Sequence, residues 1–598
     1  MTALLRVDDL KVAFGSEAGR VDAVQGLSFE IERGKTLAIV GESGSGKSAS
    51  ALAVMGLLPD SAQISGSARL GGRELLGLGD REMSAVRGSE IAMVFQDPLS
   101  SLTPVFTVGA QIVEALQAHR SMSAAAARAR ALELLDAVGI PDPAARSQAY
   151  PHQLSGGQRQ RVVIAMAIAN EPDLIIADEP TTALDVTVAA QVLKLLTTLQ
   201  HETDAGLLLI THDFGVVARV ADDVVVMRDG KAVESAPVLD LFDHPQDPYT
   251  VRLLDAVPRI DGPMLGGLDT PDSQARRALD HPDEALDSPG LDTPSRLAPR
   301  RHSTTQDAAL DHPDEPLDDP VPDDSPRDRQ FVLTVANLTK TFAVTSRFLR
   351  RRTGEVHAVR GVSFDLAAGE TLAIVGESGS GKSTTLHEIM SFGQPPGVIR
   401  IGDVDPAALR GREARTLRRQ ISMVFQDPAG ALNPRMTARD LVAEPLRVTG
   451  ASSQQAYARV AELLEQVGLD PDHGDRFPRA FSGGQRQRLA IARALATSPE
   501  VIALDEPLSA LDVSIQADIL ELLRTVQQQT GVAYLLVAHD LAVVRRVAHR
   551  VAVMKAGEFV ETGTTAEVFD HPQHPYTREL IAAVPPLDPR RARIEVPA

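Results

Sequence analysis

The run "TLAIV" occurs at 36–40 and again at 371–375, apolar after its threonine and ending each time at a glycine. A continuous apolar run of this length, bounded by glycine, predicts a strand buried on both faces, as in a parallel sheet. "DLIIADEP" (173–180) and "EVIALDEP" (500–507) repeat the pattern and end in two carboxylates. "LLLITHD" (207–213) and "YLLVAHD" (534–540) repeat it and end in histidine and aspartate, and "MVF" precedes a glutamine at 96 and at 426. Between these runs the spacing changes to that of helices. "SASALAVMGLL" (48–58) follows the first strand, and "RLLDAV" (252–257) and "RELIAAV" (578–584) close the two halves of the chain. Residues 109–150 and 438–478 are rich in Ala, Leu and Arg and predict amphipathic helices, a pattern that plain core packing also produces. Buried strands alternating with helices predict an α/β fold with a parallel sheet.

The whole pattern is present twice. "GESGSGKS" stands at 41–48 and 376–383, identical in all eight residues. "MVFQDP" stands at 93–98 and 423–428, and "HPQDPYT" at 244–250 is echoed by "HPQHPYT" at 571–577. The offset is 335 at the first motif and 327 at the Asp-Glu-Pro motif, with the order kept. A repeat in constant register is one domain used twice, expected over 1–260 and 331–598.

The segment 261–330 differs from both. It holds 17 Asp and Glu against 7 Lys and Arg, a net of −10, so half of the chain's net charge of −20 sits there. It has 11 prolines and no Phe, Tyr or Trp. Such a sequence buries too little apolar surface to offset its ordering entropy, and it is expected to be a disordered acidic linker. A tether is the plain role, and a docking site for a partner is the alternative. "RFLRRR" (347–352), found only in the second half, is either a solvated loop or a contact with lipid headgroups or the acidic linker.

Composition narrows the function classes. The chain has 598 residues, of which 43% are hydrophobic and 23% charged. No run approaches the roughly 18 apolar residues of a membrane helix, and the start, "MTALLRVDDL", lacks the basic-then-apolar pattern of a secretory signal. A cytosolic chain with a peripheral membrane role at most is expected. The chain contains no cysteine, which excludes disulfides, zinc ribbons and iron–sulfur clusters. The negative net charge argues against nucleic acid as a partner.

The chemistry lies where the predicted strands end. Each Gly-x-x-x-x-Gly-Lys-Ser stretch sits between a strand and a helix, the setting in which such a loop cradles phosphate. Glycine lets successive N–H groups point at phosphate oxygens, and the helix N-terminus adds a favourable dipole. The expected contacts are Gly41, Ser43, Gly44, Ser45, Gly46 and Ala49 in the first half. In the second they are Gly376, Ser378, Gly379, Ser380, Gly381 and Thr384. Lys47 and Lys382 can reach the β- and γ-phosphates, and Ser48 and Ser383 can ligate Mg²⁺. A glycine turn before a helix would explain one match, and two identical matches in the right setting outweigh it. Asp178 and Asp505 are placed to bind Mg²⁺, and Glu179 and Glu506 suit a base that orients the attacking water. An Asp-Glu pair alone commonly just ends a strand in solvent. His212 and His539 are candidate phosphate sensors, with a structural histidine as the alternative. Gln96 and Gln426 can bind Mg²⁺ or water through their amides. "LSGGQRQR" (154–161) and "FSGGQRQR" (481–488) offer a hydroxyl, two glycines and an amide, with neither base nor nucleophile, and look built to hold an anion.

Together these motifs resemble the nucleotide-binding domains of the ABC ATPase superfamily. Walker A, Q-loop, signature, Walker B, D-loop ("ALD" at 183–185 and 510–512) and H-loop follow in order, twice. The resemblance implies two tandem P-loop ABC ATPase domains joined by the acidic disordered linker. Each would have a parallel-sheet core, an antiparallel β subdomain and an α-helical subdomain. It implies ATP and Mg²⁺ as cofactors. It implies that Ser155, Gly156, Gly157 and Gln158 face the nucleotide held on Lys382, while Ser482, Gly483, Gly484 and Gln485 face that on Lys47. ATP would then close the two domains on each other. Phe14 and Phe342 match the family's adenine-stacking aromatic, with core packing as the alternative. Departures are small: Phe481 stands for the usual Leu, and Ala49 answers Thr384.

"QDPLSSLTP" (96–104), "QDPAGALNP" (426–434) and the two "HPQxPYT" boxes resemble the dipeptide/oligopeptide/nickel importer branch, in which the box begins a small C-terminal extension. That resemblance implies a transport-coupled ATPase on the cytoplasmic face of the cell membrane. Its partners would be two integral membrane permeases and an extracytoplasmic substrate-binding protein. The alternative is a soluble tandem ABC ATPase acting on ribosomes, but those join their domains with basic-leaning linkers. DNA-repair ABC ATPases need zinc modules and hence cysteines.

Overall fold

In the computed structural model the two apolar strands Thr36–Val40 and Thr371–Val375 lie inside two six-stranded sheets of identical order. The described residues are 3–16, 19–182, 184–260, 262, 330–345, 352–392, 396–509 and 511–593. The first sheet runs Lys231–Pro237, Asp223–Arg228, Thr36–Val40, Gly206–Thr211, Leu174–Asp178, Ile91–Val94. The second runs Glu558–Thr564, Arg550–Lys555, Thr371–Val375, Ala533–Val537, Val501–Asp505, Ile421–Val424. Five strands of each are parallel, and the first-named, Lys231–Pro237 or Glu558–Thr564, is an antiparallel edge. Every residue of Thr36–Val40, Leu174–Asp178 and Gly206–Thr211 is buried, which is why these strands read as unbroken apolar runs. Chain order reverses at the loop-bearing strand, so the crevice beyond its carboxyl end lies at a topological switch point, where open α/β sheets bind ligands.

Each half adds an antiparallel sheet. In the first, Gly19–Ile31, Leu5–Ser16, Ala62–Leu70 and Arg73–Glu74 lie side by side. In the second, the described residues give Arg352–Ala367, Phe331–Thr345 and Val398–Ile401. Leu5, Leu10, Leu27 and Ile31 pack from this sheet onto Ile39 and Leu208 of the parallel sheet, forming one core. A helical layer shares a core with the opposite face of the parallel sheet, with Val108–His119, Ala124–Ala137 and Gly156–Ala167 in the first half. Ala438–Val448, Ser453–Gln466 and Gly483–Leu495 answer them in the second. Hydroxyl caps start these helices: Thr107 accepts from the Ala110 N–H and Ser123 from the Ala126 N–H. Ile112, Leu116, Leu134 and Leu135 form the buried stripe. The expected α/β class and its three parts per half are therefore present.

The two halves pack as one unit. The C-terminal extensions cross over. Pro248–Ala256 of the first half lies on Val513–Thr530 of the second, and Pro575–Ala583 lies on Val186–Thr203 of the first. Pro589–Ala592 reaches Phe214–Val220 and Val238–Asp243, and Leu587 packs against the core containing Phe214 and Leu241. Of the predicted linker 261–330, only Gly262 and Gln330 fall within the described residues, so the disordered-linker expectation lies outside them. The same holds for residues 347–351 of the basic insertion, while Arg352 begins the strand Arg352–Ala367.

Candidate functional site

Phosphate-loop geometry follows from two close approaches. Gly46 caps the helix Lys47–Val54 with φ of 99°, and a Cβ there would stand 2.2 Å from the carbonyl oxygen of Ala23. Gly381 repeats this at φ 109°, with 2.3 Å to the Ala358 oxygen. Only glycine fits where the loop passes against the antiparallel sheet. The Lys47 ammonium donates to the carbonyls of Gly41 and Glu42 at 2.7 and 2.8 Å, and Lys382 to Gly376 and Glu377 at 2.7 and 2.9 Å. Both lysines are 5% exposed. Burial lowers their pKa values, against the opposing pull of Glu179 and Glu506. The hydroxyls of Ser45 and Ser380 are buried without a hydrogen-bond partner among the described residues.

The strand register sets the carboxylates beside this loop. Val40 pairs with Thr211, and Asp178 with Ile210, so Gly41, Glu179 and His212 emerge together at the carboxyl ends of three adjacent strands. The Ser48 hydroxyl donates to Asp178 at 3.0 Å and that of Ser383 to Asp505 at 2.9 Å. Burial raises the pKa of both aspartates, opposed by the serine hydroxyls. A hydroxyl and a carboxylate side by side form a hard-oxygen donor set, which fits Mg²⁺ rather than a softer metal.

Glu179 and Glu506 hold left-handed backbone, with φ of 47° and 45°. Such strain in a non-glycine residue costs on the order of 1–3 kcal/mol and persists only where the surroundings impose it. Gln96 donates to the Glu179 carboxylate at 2.7 Å, Thr182 at 2.9 Å, and His212 Nδ1 lies 3.2 Å away. In the second half Gln426 donates to Glu506 at 2.8 Å and His539 Nδ1 lies at 3.5 Å. There Ser509 donates to the Glu506 carbonyl instead of the carboxylate. Burial would raise the pKa of Glu179, but His212, Thr182 and Lys47 outweigh it and the net direction is down. For Glu506 the His539 hydrogen bond leads, and the direction is again down. The glutamine amides thus reach the glutamates rather than the serine–aspartate pairs.

The Ser-Gly-Gly-Gln stretches begin helices. Ser155 accepts from the Gln158 N–H at 3.3 Å while the Gln158 side chain accepts from the Ser155 N–H at 3.2 Å, a reciprocal capping box. Ser482 and Gln485 repeat it at 3.3 and 3.0 Å. A Cβ on Gly157 would stand 2.4 Å from Val188, and one on Gly484 2.6 Å from Ile515, so these glycines allow close packing on the helix that follows Asp185 or Asp512. Gly156 and Gly483 lie beside Leu184 and Leu511.

Those two aspartates cross between the halves. Asp512 accepts from the Ser43 N–H at 2.7 Å, and Asp185 from the Ser378 N–H at 3.4 Å. Thr187 donates to the Glu377 carboxylate at 2.9 Å, and Ser514 to that of Glu42 at 2.5 Å. A cavity of about 770 Å³ opens between the halves, lined by Ser43, Glu179, Asp185 and His212 on one side and by Lys382, Glu506, Asp512 and His539 on the other. Thr384 also lines it, whereas Ala49 packs against the core. The aromatic pair diverges. Phe14 packs against the core of its half, while Phe342 is 49% exposed with Lys340 over its ring.

Asp185 and Asp512 end the two D-loop stretches, to which the sequence reading assigns no contact, and Thr187, Ser514 and Thr182 fall in no motif it names. Their signal is their recurrence at matching positions of both copies. The tyrosines of the "HPQxPYT" boxes also reach the loops. Tyr249 Oη accepts from the Glu42 N–H at 3.4 Å and Tyr576 Oη from the Glu377 N–H at 3.0 Å.

Comparison with known proteins agrees with this geometry. The sequence model described as "ABC transporter" matches residues 24–182 and 359–509. The model described as "Oligopeptide/dipeptide transporter, C-terminal region" matches 233–284 and 560–598. The oligopeptide transport ATP-binding protein OppD of Mycobacterium tuberculosis is 51% identical over 99% of this chain and 100% of its own length. The glutathione import ATP-binding protein GsiA of Escherichia coli is 47% identical over 99% of this chain and 91% of its own length.

Proposed function

We infer that this chain, which belongs to the ABC transporter family, is the ATP-hydrolysing subunit that energises a membrane importer of the dipeptide/oligopeptide class. It is an ATPase of the transporter type and binds ATP. The observation that carries the import reading is the extension matched in both halves, which crosses onto the opposite half beside the phosphate loop. That extension, and the relatives named for oligopeptide and glutathione transport, favour the importer over the ribosome-acting alternative.

The site residues take the following roles in this proposal. Lys47 and Lys382 turn from their carbonyls to the phosphates, and the loop N–H groups bind phosphate oxygens. Ser48 with Asp178, and Ser383 with Asp505, would hold Mg²⁺, which supplies charge neutralisation to the phosphates. Glu179 and Glu506 act as bases for water, their lowered pKa values keeping them ionised. His212 and His539 bridge these carboxylates to the γ-phosphate side. The helix N-termini at Ser155 and Ser482 face the nucleotide of the opposite half, and the packing of Gly157 on Val188, next to the crossing residues Asp185 and Thr187, supports this. Closure of the halves then accompanies ATP binding. A few charge-assisted hydrogen bonds across the seam, each about 1.5–3 kcal/mol, reach the roughly 5.5 kcal/mol that moves a two-state equilibrium from open to closed.

Among the described residues no helix is long and apolar enough to cross a membrane, so membrane association is proposed to run through two permeases, with an extracytoplasmic receptor delivering substrate. Co-expression with its permeases in proteoliposomes tests this. Peptide uptake that needs ATP and stops with Lys47→Ala and Lys382→Ala is the expected result. Co-purification with ribosomes and not with membranes would overturn it.

A further inference from the structure

We propose that Tyr249 and Tyr576 are positioning residues of the two phosphate loops, and that each loop is fixed at its entry by two consecutive N–H groups held from opposite halves. In the first half the Glu42 N–H donates to Tyr249 of its own extension, and the next N–H, of Ser43, donates to Asp512 of the other half. In the second half the Glu377 N–H donates to Tyr576, and the Ser378 N–H to Asp185. The same arrangement occurs at both loops, between residues 207 and 199 positions apart within a half and 469 and 193 apart across the seam.

Several features make the tyrosine a fixed post. A glutamate of the edge strand grips the box: Glu234 accepts from the N–H groups of Gln246 and Asp247, and Glu561 from those of Gln573 and His574. Asp247 then caps the helix at the Tyr249 N–H, and the His574 ring caps it at Tyr576. Both tyrosines are buried, with Arg228 over one ring and Lys555 over the other. Burial pushes each phenol up to about 12, so each remains a neutral hydroxyl throughout the working pH range. The helix that carries it rests on the partner half's helix headed by Asp512 or Asp185. Glu42 also ties the loop together: its carbonyl accepts from Lys47 and its carboxylate from Ser514. The seat of each extension on the opposite half is therefore connected, through one phenol, to the backbone that receives phosphate.

The proposal rests on the loops being ATP sites, and the test separates the two ideas. In the full chain, Tyr249→Phe removes only the hydroxyl, and Tyr576→Phe does the same in the other half. Photolabelling with azido-ATP, followed by quantifying labelled peptides from each loop, reads the sites separately. Tyr249→Phe is expected to weaken labelling of the Lys47 loop about 2- to 10-fold, the effect of one neutral hydrogen bond, and to leave the Lys382 loop unchanged. Tyr576→Phe should do the reverse. KM for ATP should rise in both while kcat at saturation and the melting temperature stay near wild type, which a purely structural role would not give. Wild-type labelling in both phenylalanine variants, or equal weakening at both loops, overturns the positioning role alone. Failure of the unaltered chain to label at either loop overturns the ATP-site premise together with it.

Discussion

Asp512 accepts a 2.7 Å hydrogen bond from the backbone N–H of Ser43, 469 residues away, and so joins the second half to the first half's phosphate loop. Asp512 heads the helix Val513–Thr530 without making a side-chain cap bond, whereas Asp185 caps its own helix at Val188 as well as reaching across. The two positions are therefore unequal tests of the seam. Asp512→Ala removes the crossing contact and no cap, and should lower vanadate trapping at the Lys47 loop about 10- to 100-fold, as loss of a charge-assisted hydrogen bond implies. Asp185→Ala should add a fall in melting temperature, because an N-cap contributes about 1 kcal/mol. Equal melting temperatures for the two variants would contradict this difference.

Glu179→Gln and Glu506→Gln keep the shape of the side chain and remove the charge. Gln96 and Thr182 still find an acceptor in the new amide, so folding should be little changed. The left-handed backbone at both positions is also retained, so no strain is released. Turnover should fall at least about 100-fold in the double variant, with ATP still bound, measured by steady-state hydrolysis and nucleotide retention on a gel-filtration column. Full turnover would remove the glutamates from the proposed role.

What the sequence made legible was chemistry confined to short stretches. The strand ends, the lysines, the Asp-Glu pairs and the histidines were readable because the loop, its strand and its helix are contiguous. The alternation of buried apolar runs with helical spacing made the α/β class legible, and the duplicated order made the two domains legible. Contacts between distant stretches were not readable. Nothing local in "HPQxPYT" says that Tyr249 meets Glu42. The Ser-Gly-Gly-Gln stretch carries two local signals. A serine followed three residues later by glutamine is a helix-start signature, so the capping box at Ser155 is legible in the sequence beside the anion-binding reading. Phe14 and Phe342 diverge because equal motif position does not fix equal burial, which depends on the strands beside them.

The histidine–glutamate pairs make stability depend on pH in a stated direction. Burial alone would lower His212 and His539, but the glutamate hydrogen bond and charge, with nearby aspartates, raise both above the ordinary 6.5. A histidine raised in the folded state contributes stability that is full below its ordinary value and is lost as pH rises through its folded value. Glu179 and Glu506 are lowered, so their contribution persists above the ordinary 4.5 and is lost only in acid. Between pH 6 and 9 only the histidine side changes. The melting temperature of the nucleotide-free chain should therefore exceed that of His212→Gln with His539→Gln most at pH 6, and the gap should narrow as pH rises. A constant gap would show that no proton is linked.

The crossing C-terminal segment is held by packing more than by charge, and two substitutions separate these. Arg590 forms an ion pair with Asp243 across the seam, but both side chains are solvent-exposed, so the pair is screened. Gly215 lies under the ring of Pro585, where an added Cβ would stand 2.8 Å from Cγ, and Leu587 packs beside it into the core around Phe214. Gly215→Ala must push the segment outward, since overfilling a packed contact costs about 1–3 kcal/mol and a proline ring cannot turn aside. Arg590→Ala should leave the melting temperature within about 1 °C of wild type, while Gly215→Ala lowers it by a few degrees and exposes the chain after Val584 to limited proteolysis. If Arg590→Ala proved the more damaging of the two, the ion pair and not the apolar seat would be what fastens the second half's extension to the first.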